Sequence, residues 1–98
     1  MKISFDPAKD ANNMRKHGVH LAEAEAEALD WDAALVKPDS RHDYGEARQI
    51  GYVPMGSRLY CVVFVERTDE LRIISRRKAN SREVNRYVQE TEADSPDA

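Results

Sequence analysis

The apolar segment from Leu59 to Val65 constrains the fold of this chain more than any other stretch of its sequence. A run of seven uncharged residues that is rich in valine is typical of a strand covered on both faces, so we expect it in the middle of a sheet. An alternating segment with Arg48, Ile50 and Tyr52 precedes it, and residues 71–75 follow after a polar turn. These segments predict consecutive antiparallel strands joined by short connections.

The first third of the chain carries helix signals. Asp6 followed by Pro7 predicts the start of a helix, because aspartate caps a helix N-terminus and proline fits its first turn, and Gly18 predicts its end. A second helix is predicted from Leu21 to about Leu29, since alanine and glutamate favour helix and the apolar residues recur at helical spacing.

The last helix is predicted from a capping pattern. Asn80, with Glu83 three residues later, matches a capping box. Val84, Tyr87 and Val88 recur at helical spacing, so we expect them to form the buried stripe of this helix.

Together these elements predict an α+β fold. With short strands at residues 2–5 and 34–37, the fold is a mostly antiparallel sheet with two N-terminal helices and one C-terminal helix gathered on one face. We expect one domain over residues 1–90 and a disordered acidic tail over 91–98.

Composition excludes several classes of protein. The single cysteine, Cys61, cannot form an intramolecular disulfide, which excludes a disulfide-stapled secreted scaffold. The chain lacks a signal-peptide pattern and the run of ~20 apolar residues that spans a membrane, so we expect a cytoplasmic protein without membrane contact. The cysteine and three histidines show no metal-ligand spacing, and there is no glycine-rich phosphate loop, so no metal or cofactor is expected.

Charge is distributed unevenly along the chain. The formal net charge is −3, yet the stretch from Arg72 to Arg86 holds six basic residues and one acidic residue. We interpret this stretch as a surface for a nucleic acid or another polyanion, which binds through phosphate contacts and counterion release. The alternative interpretation is a solvated helix face.

Five segments form a recognisable series. They are Phe5-Asp6-Pro7 with Lys9; Asn13-x-x-Lys16-His17-Gly18-Val19; Glu23-Ala24; Asp39-x-Arg41-His42-x-x-Gly45-Glu46-x-Arg48; and Arg72-Ile73-Ile74-Ser75-x-Arg77-x-Ala79 with Arg82-Glu83 and Tyr87. In this order and spacing they resemble the BrnT family of type II toxins, which is similar in fold to the RelE group of small ribonucleases. The chain departs from that pattern in its alanine-rich helix faces and in the extra charge of Arg76-Arg77-Lys78.

The resemblance implies a RelE-like fold and cleavage of RNA in the host cell. It also implies neutralisation by a cognate BrnA-like antitoxin with a ribbon-helix-helix DNA-binding domain. Operator DNA would be bound only through the toxin–antitoxin complex, and a homodimer without antitoxin is a further alternative.

RNA carries its own nucleophile, the 2′-hydroxyl. Cleavage without a metal therefore needs a base for the 2′ proton, an acid for the departing 5′-oxygen and cations for the phosphorane, and it yields a 2′,3′-cyclic phosphate and a 5′-hydroxyl. Arginine suits the cationic role because its guanidinium holds two phosphate oxygens at once. We expect Arg76 or Arg77 beside Arg48 in the catalytic site. Further RNA contacts are expected from Arg41, Arg72, Arg82, Arg86 and Tyr87.

Strand alternation constrains these arginines. We expect Arg72, Ile74 and Arg76 on one face of the last strand, and Ser75 and Arg77 on the other.

Proton transfer is assigned first to His42, because it lies in a polar loop between Arg41 and Glu46 and because histidine is the side chain suited to proton transfer near neutral pH. Glu46 either shares in this chemistry or orients an arginine through a charge-assisted pair. His17 is interpreted as a residue that compensates the dipole at a helix C-terminus.

Two other functions use the same basic surface. One is a non-catalytic nucleic-acid-binding module, and the other is a module that only binds an antitoxin. Arginines that stabilise a transition state and arginines that hold a phosphate look alike in sequence, so the resemblance alone favours the enzyme.

Overall fold

The computed structural model describes residues 2–22, 28–40 and 45–93. Its strands are β1 (Lys2–Phe5), β2 (Leu35–Pro38), β3 (Gln49–Met55), β4 (Arg58–Arg67) and β5 (Glu70–Lys78). The described helices are α1 (Pro7–His17) and α2 (Ser81–Ala93), and a 3-10 turn covers Trp31–Ala33.

The five strands form one sheet in the order β1-β5-β4-β3-β2. β1 pairs with β5 in parallel, and the other three pairs are antiparallel. The predicted α+β class with a mostly antiparallel sheet is therefore confirmed. No helix of the described residues is long and apolar enough to cross a membrane.

The strand at the centre of the sheet is β4, as its apolar sequence predicts. Six consecutive residues of β4, from Tyr60 to Val65, are buried. Burial on both faces explains why this segment has no polar alternation. The hairpin between β3 and β4 turns at Gly56, whose φ of +61° lies in the region that glycine adopts without strain.

The two faces of the sheet are covered differently. The core face carries Val62, Phe64 and their neighbours, and it is covered by Leu21, Leu29 and Trp31 from the segments between α1 and β2. The helix face is the opposite side, where the register places these residues: Leu35, Lys37, Ile50, Tyr52, Cys61, Val63, Val65, Arg72, Ser75 and Arg77. α2 crosses this face and makes polar contacts with it.

The predicted helix caps are confirmed. Asp6 Oδ1 accepts a hydrogen bond of 2.9 Å from the Ala8 amide, and Gly18 ends α1 with a φ of +72°. At the start of α2, Asn80 Oδ1 accepts from the Glu83 amide and Glu83 Oε1 accepts from the Asn80 amide, each at 2.9 Å. These reciprocal bonds form a capping box, so both helix starts follow from local sequence.

Three predictions about the helices are not reproduced as stated. The predicted second helix falls mostly on residues 23–27, which lie outside the described residues, and residues 21–22 and 28–29 beside them are not helical. Val84 and Val88 are 38% and 41% exposed, so the predicted buried stripe of α2 is wrong. α2 also extends to Ala93, and the rest of the predicted tail, 94–98, lies outside the described residues.

A β-bulge in β5 overturns the predicted alternation of the arginines. The pairing with β4 passes from Phe64↔Ile73 to Val63↔Ser75, so Ile74 has no directly opposed partner. One extra residue inverts the alternation beyond it. Arg72 therefore shares the helix face with Ser75, whereas Arg76 lies on the core face.

Candidate functional site

α1 presents one polar, basic face. Lys9, Asn12, Asn13, Lys16 and His17 follow the spacing i, i+3, i+4, i+7 and i+8, which places side chains along one side of a helix. Only Asn13 in this helix is buried. The face therefore carries two lysines and a histidine around one buried amide.

Asn13 fixes α1 to the sheet. Its Nδ2 donates to the carbonyls of Arg76 and Val19, both at 2.7 Å, and its Oδ1 accepts from the Arg76 amide at 3.0 Å. The pairing of β1 with β5 ends at Phe5↔Ile73. The Asn13 side chain therefore satisfies backbone groups of β5 just beyond the point where the neighbouring strand leaves it.

A cleft of about 370 Å³ lies between this helix face, the bulge of β5 and the residue before β3. Ile74 and Ser75 contribute the β5 wall, and Arg48 reaches the cleft from the start of β3. The described residues that line it include no carboxylate, and the charged and polar ones at its rim are Lys9, Asn12, Lys16, His17, Arg48 and Ser75. We call this concavity the basic cleft.

Glu46 lies beside the basic cleft rather than within its lining. Its Oε1 is 3.4 Å from Nε of Arg48, whose side chain is 19% exposed. At this distance the carboxylate and the guanidinium make a single, long charge-assisted contact. Glu46 therefore lies next to an arginine, and its role in orienting that side chain stays a prediction.

Arg77 lies on the helix face and binds α2. Its Nη1 and Nη2 donate to the two carboxylate oxygens of Glu83 at 2.7 and 2.8 Å. These bonds raise the pKa of Arg77 and lower the pKa of Glu83. Tyr52 lies on the same face of the sheet, opposite Cys61, and burial raises its pKa. The guanidinium of Arg77 thus anchors the first turn of α2.

Arg76 takes a structural place in the core. It is 1% exposed, and its Nε and Nη2 donate to the His20 carbonyl at 3.0 and 2.7 Å. Its guanidinium also lies 4.8 Å from the centre of the Tyr60 ring, a cation–π contact. These contacts hold the Arg76 guanidinium on the core face, whereas Arg48 lines the basic cleft. The structure therefore does not bring Arg76 together with Arg48 in one site.

The other predicted site residues are dispersed. Arg72 lies on the helix face opposite Val65, and Arg82 and Arg86 are exposed on α2. The Tyr87 hydroxyl donates to the Ala33 carbonyl at 2.7 Å, which makes it an anchor between α2 and the 3-10 turn. Arg41 and His42 lie outside the described residues.

Comparison with protein families agrees with these motifs. The family described as "Ribonuclease toxin, BrnT, of type II toxin-antitoxin system" matches residues 5–83. This chain belongs to the BrnT family. Comparison with curated proteins finds no match. The described residues that line the basic cleft fall inside the matched range, so the cleft of this BrnT-family chain lies within the family region.

Membership of a type II toxin–antitoxin family implies a ribonuclease toxin with a protein antitoxin as partner and RNA as target. The described residues contain no group of three or more histidine, cysteine, aspartate or glutamate side chains placed to hold a metal ion.

Three residues of the basic cleft are not among the principal site residues predicted from the sequence. Lys9 and Lys16 entered only as parts of a family motif, and His17 was interpreted as a helix-terminus residue. The signal that finds them is helical periodicity applied to polar residues: together with Asn13 they recur along one face of α1.

Proposed function

We propose that the basic cleft is the catalytic site of an endoribonuclease toxin. The observation that carries this proposal is the convergence of Lys9, Lys16, His17 and Arg48 on one cleft of about 370 Å³ whose described lining has no carboxylate. Such a concavity attracts a phosphodiester and surrounds it with donors.

Each side chain has a role in this proposal. Arg48, held by Glu46, binds two oxygens of the scissile phosphate and stabilises the charge of the phosphorane. Lys9 and Lys16 hold the charge of the same or the adjacent phosphate. The 2′-hydroxyl of the RNA attacks the phosphorus as its proton leaves, and the bond to the 5′-oxygen breaks as that oxygen gains a proton.

The reaction therefore needs one group that accepts the 2′ proton and one that donates a proton to the 5′-oxygen. Histidine does either near neutral pH, and His17 is the histidine in the lining of the cleft. His42, which precedes Glu46 by four residues, remains the proposed second group. The nucleophile belongs to the substrate, so the proposed route to a 2′,3′-cyclic phosphate uses no metal step.

The cellular part of this proposal rests on membership of the BrnT family. We propose a RelE-like fold, action in the cytoplasm and growth arrest until a BrnA-like ribbon-helix-helix antitoxin binds, with operator DNA contacted only through the complex. Arg72, Arg82 and Arg86 are proposed to extend the RNA-binding surface beyond the cleft.

Cleavage of RNA in EDTA by the purified chain tests this function. We expect products with 2′,3′-cyclic phosphate ends, a loss of rate of about 100-fold or more in Arg48→Ala, and a loss of roughly 10²–10⁴ in His17→Gln. Arg67→Ala is the matched control, because the Arg67 side chain is 51% exposed at the end of β4 and is outside the described cleft lining.

The outcomes separate the alternatives. Intact RNA that still binds the chain would favour a non-catalytic binding module. RNA that neither binds nor breaks would favour a module that only binds an antitoxin. Cleavage that survives both cleft variants would place the active site elsewhere.

A further inference from the structure

A second concavity lies on the core face of the sheet. It has a volume of about 580 Å³, and its apolar walls come from Ile3, Trp31, Val36, Phe64 and Leu71. These walls lie on the opposite side of the sheet from Ser75 in the basic cleft. We call this concavity the apolar cavity.

Two features of the apolar cavity favour a protein ligand. Val36 lines the cavity from the edge strand β2 and is 45% exposed, so a ligand in the cavity can cover its apolar side chain. The indole Nε1 of Trp31 is buried and finds no acceptor among the described residues. A buried donor without a partner is costly, so a ligand that shifts the indole and brings a carbonyl oxygen to Nε1 gains affinity.

The charge at the rim specifies the kind of partner. Asp32 and Glu66 are exposed carboxylates in the lining, and no cation is among the described lining residues. The charge is the reverse of that in the basic cleft. RNA is repelled by these carboxylates, whereas a segment that combines apolar side chains with lysine or arginine is complementary to them.

We propose that the apolar cavity is the docking site for a basic, amphipathic segment of the antitoxin. Apolar side chains of that segment fill the cavity beside Val36, its cations pair with Asp32 and Glu66, and one of its backbone carbonyls accepts from Trp31. The antitoxin as partner rests on the proposed toxin function. Because this site and the basic cleft lie on opposite faces of the sheet, docking holds the antitoxin without needing any residue that cleaves RNA.

The test uses the purified toxin and the antitoxin encoded beside it. Trp31 is the only tryptophan of the chain, so its fluorescence reports on the apolar cavity directly. We expect antitoxin binding to change this emission. Val36→Lys should raise the Kd for the antitoxin at least about tenfold, since it removes an apolar contact and places a positive charge against the basic segment. Val84→Lys, at a residue on α2 that is 38% exposed, is the matched control and should change the Kd by less than about twofold.

RNA cleavage by the same variants separates this proposal from the toxin function. Val36→Lys should cleave RNA at the wild-type rate, which also shows that it folds. If the wild type does not cleave RNA but Val36→Lys still loses antitoxin binding, the ribonuclease proposal fails and the docking site stands.

Three results would overturn the docking site. These are wild-type antitoxin affinity in Val36→Lys, Trp31 emission that does not respond to the antitoxin, and emission that changes with toxin concentration alone, which would assign the cavity to a second copy of the chain.

Discussion

Replacement of Asn13 by alanine should destabilise the fold far more than a change at any exposed residue of α1. Asn13 is 3% exposed and makes three hydrogen bonds, two of them to the amide and carbonyl of Arg76. Its loss takes the side-chain partner away from those two buried backbone groups as well as removing the bonds themselves. At roughly 1–3 kcal/mol for each unsatisfied group, we expect a loss of ~3 kcal/mol.

That loss is large for a chain of 98 residues, whose free energy of unfolding is expected to be about 5–15 kcal/mol. It corresponds to a fall in Tm of roughly 12–24 °C, measured by circular dichroism. Asn12→Ala is the matched control, because Asn12 is the neighbouring asparagine and is exposed, and surface changes usually stay within about 0.5 kcal/mol. A loss below ~1 kcal/mol in Asn13→Ala would refute the idea that this amide holds α1 on β5.

The contacts of α2 give two further predictions. Glu83→Gln should cost ~1 kcal/mol at pH 7, a modest value because the Arg77 side chain is 36% exposed and solvent screens the pair. Since the pKa of Glu83 is lowered by folding, its contribution is present above the ordinary glutamate pKa of 4.5 and is lost as the pH falls through its folded pKa, so urea titrations should show the variant and wild type converging in acid. Parallel stability curves down to pH 3 would contradict this. Tyr87→Phe should lower stability by ~1 kcal/mol, because the Ala33 carbonyl loses its donor, and an unchanged thermal midpoint would show that this bond does not hold α2.

The central strand and the helix caps could be predicted because their causes are local. An apolar run such as that of β4 has few alternatives to a buried strand, and a capping box involves residues only three positions apart. The end of β5 could not be predicted in this way. The strand continues to Lys78, three residues beyond the predicted limit at Ser75, because pairing with β4 overrides the unfavourable run of charges.

The arrangement of the candidate site depends on contacts between distant segments. The bulge at Ile74 reverses the faces of the residues after it, and no local pattern of residues 71–75 indicated that reversal. Arg76 was expected as a candidate beside Arg48 in the catalytic site, whereas the His20 carbonyl and the Tyr60 ring accommodate it in the core. The basic cleft likewise joins distant segments, since α1 and β5 both line it and Asn13 bonds one to the other.

The location of RNA on this protein is the most direct test of the account. A 2′-O-methyl oligoribonucleotide has no free 2′-hydroxyl, so it should bind without being cleaved, and its contacts can be mapped from the shifts of backbone amide signals in nuclear magnetic resonance spectra. We predict that the shifts cluster along α1 from Lys9 to His17, at Arg48 and at Ser75. Shifts confined to α2 or to the core face around Asp32, with the signals of α1 unmoved, would contradict the assignment of the basic cleft.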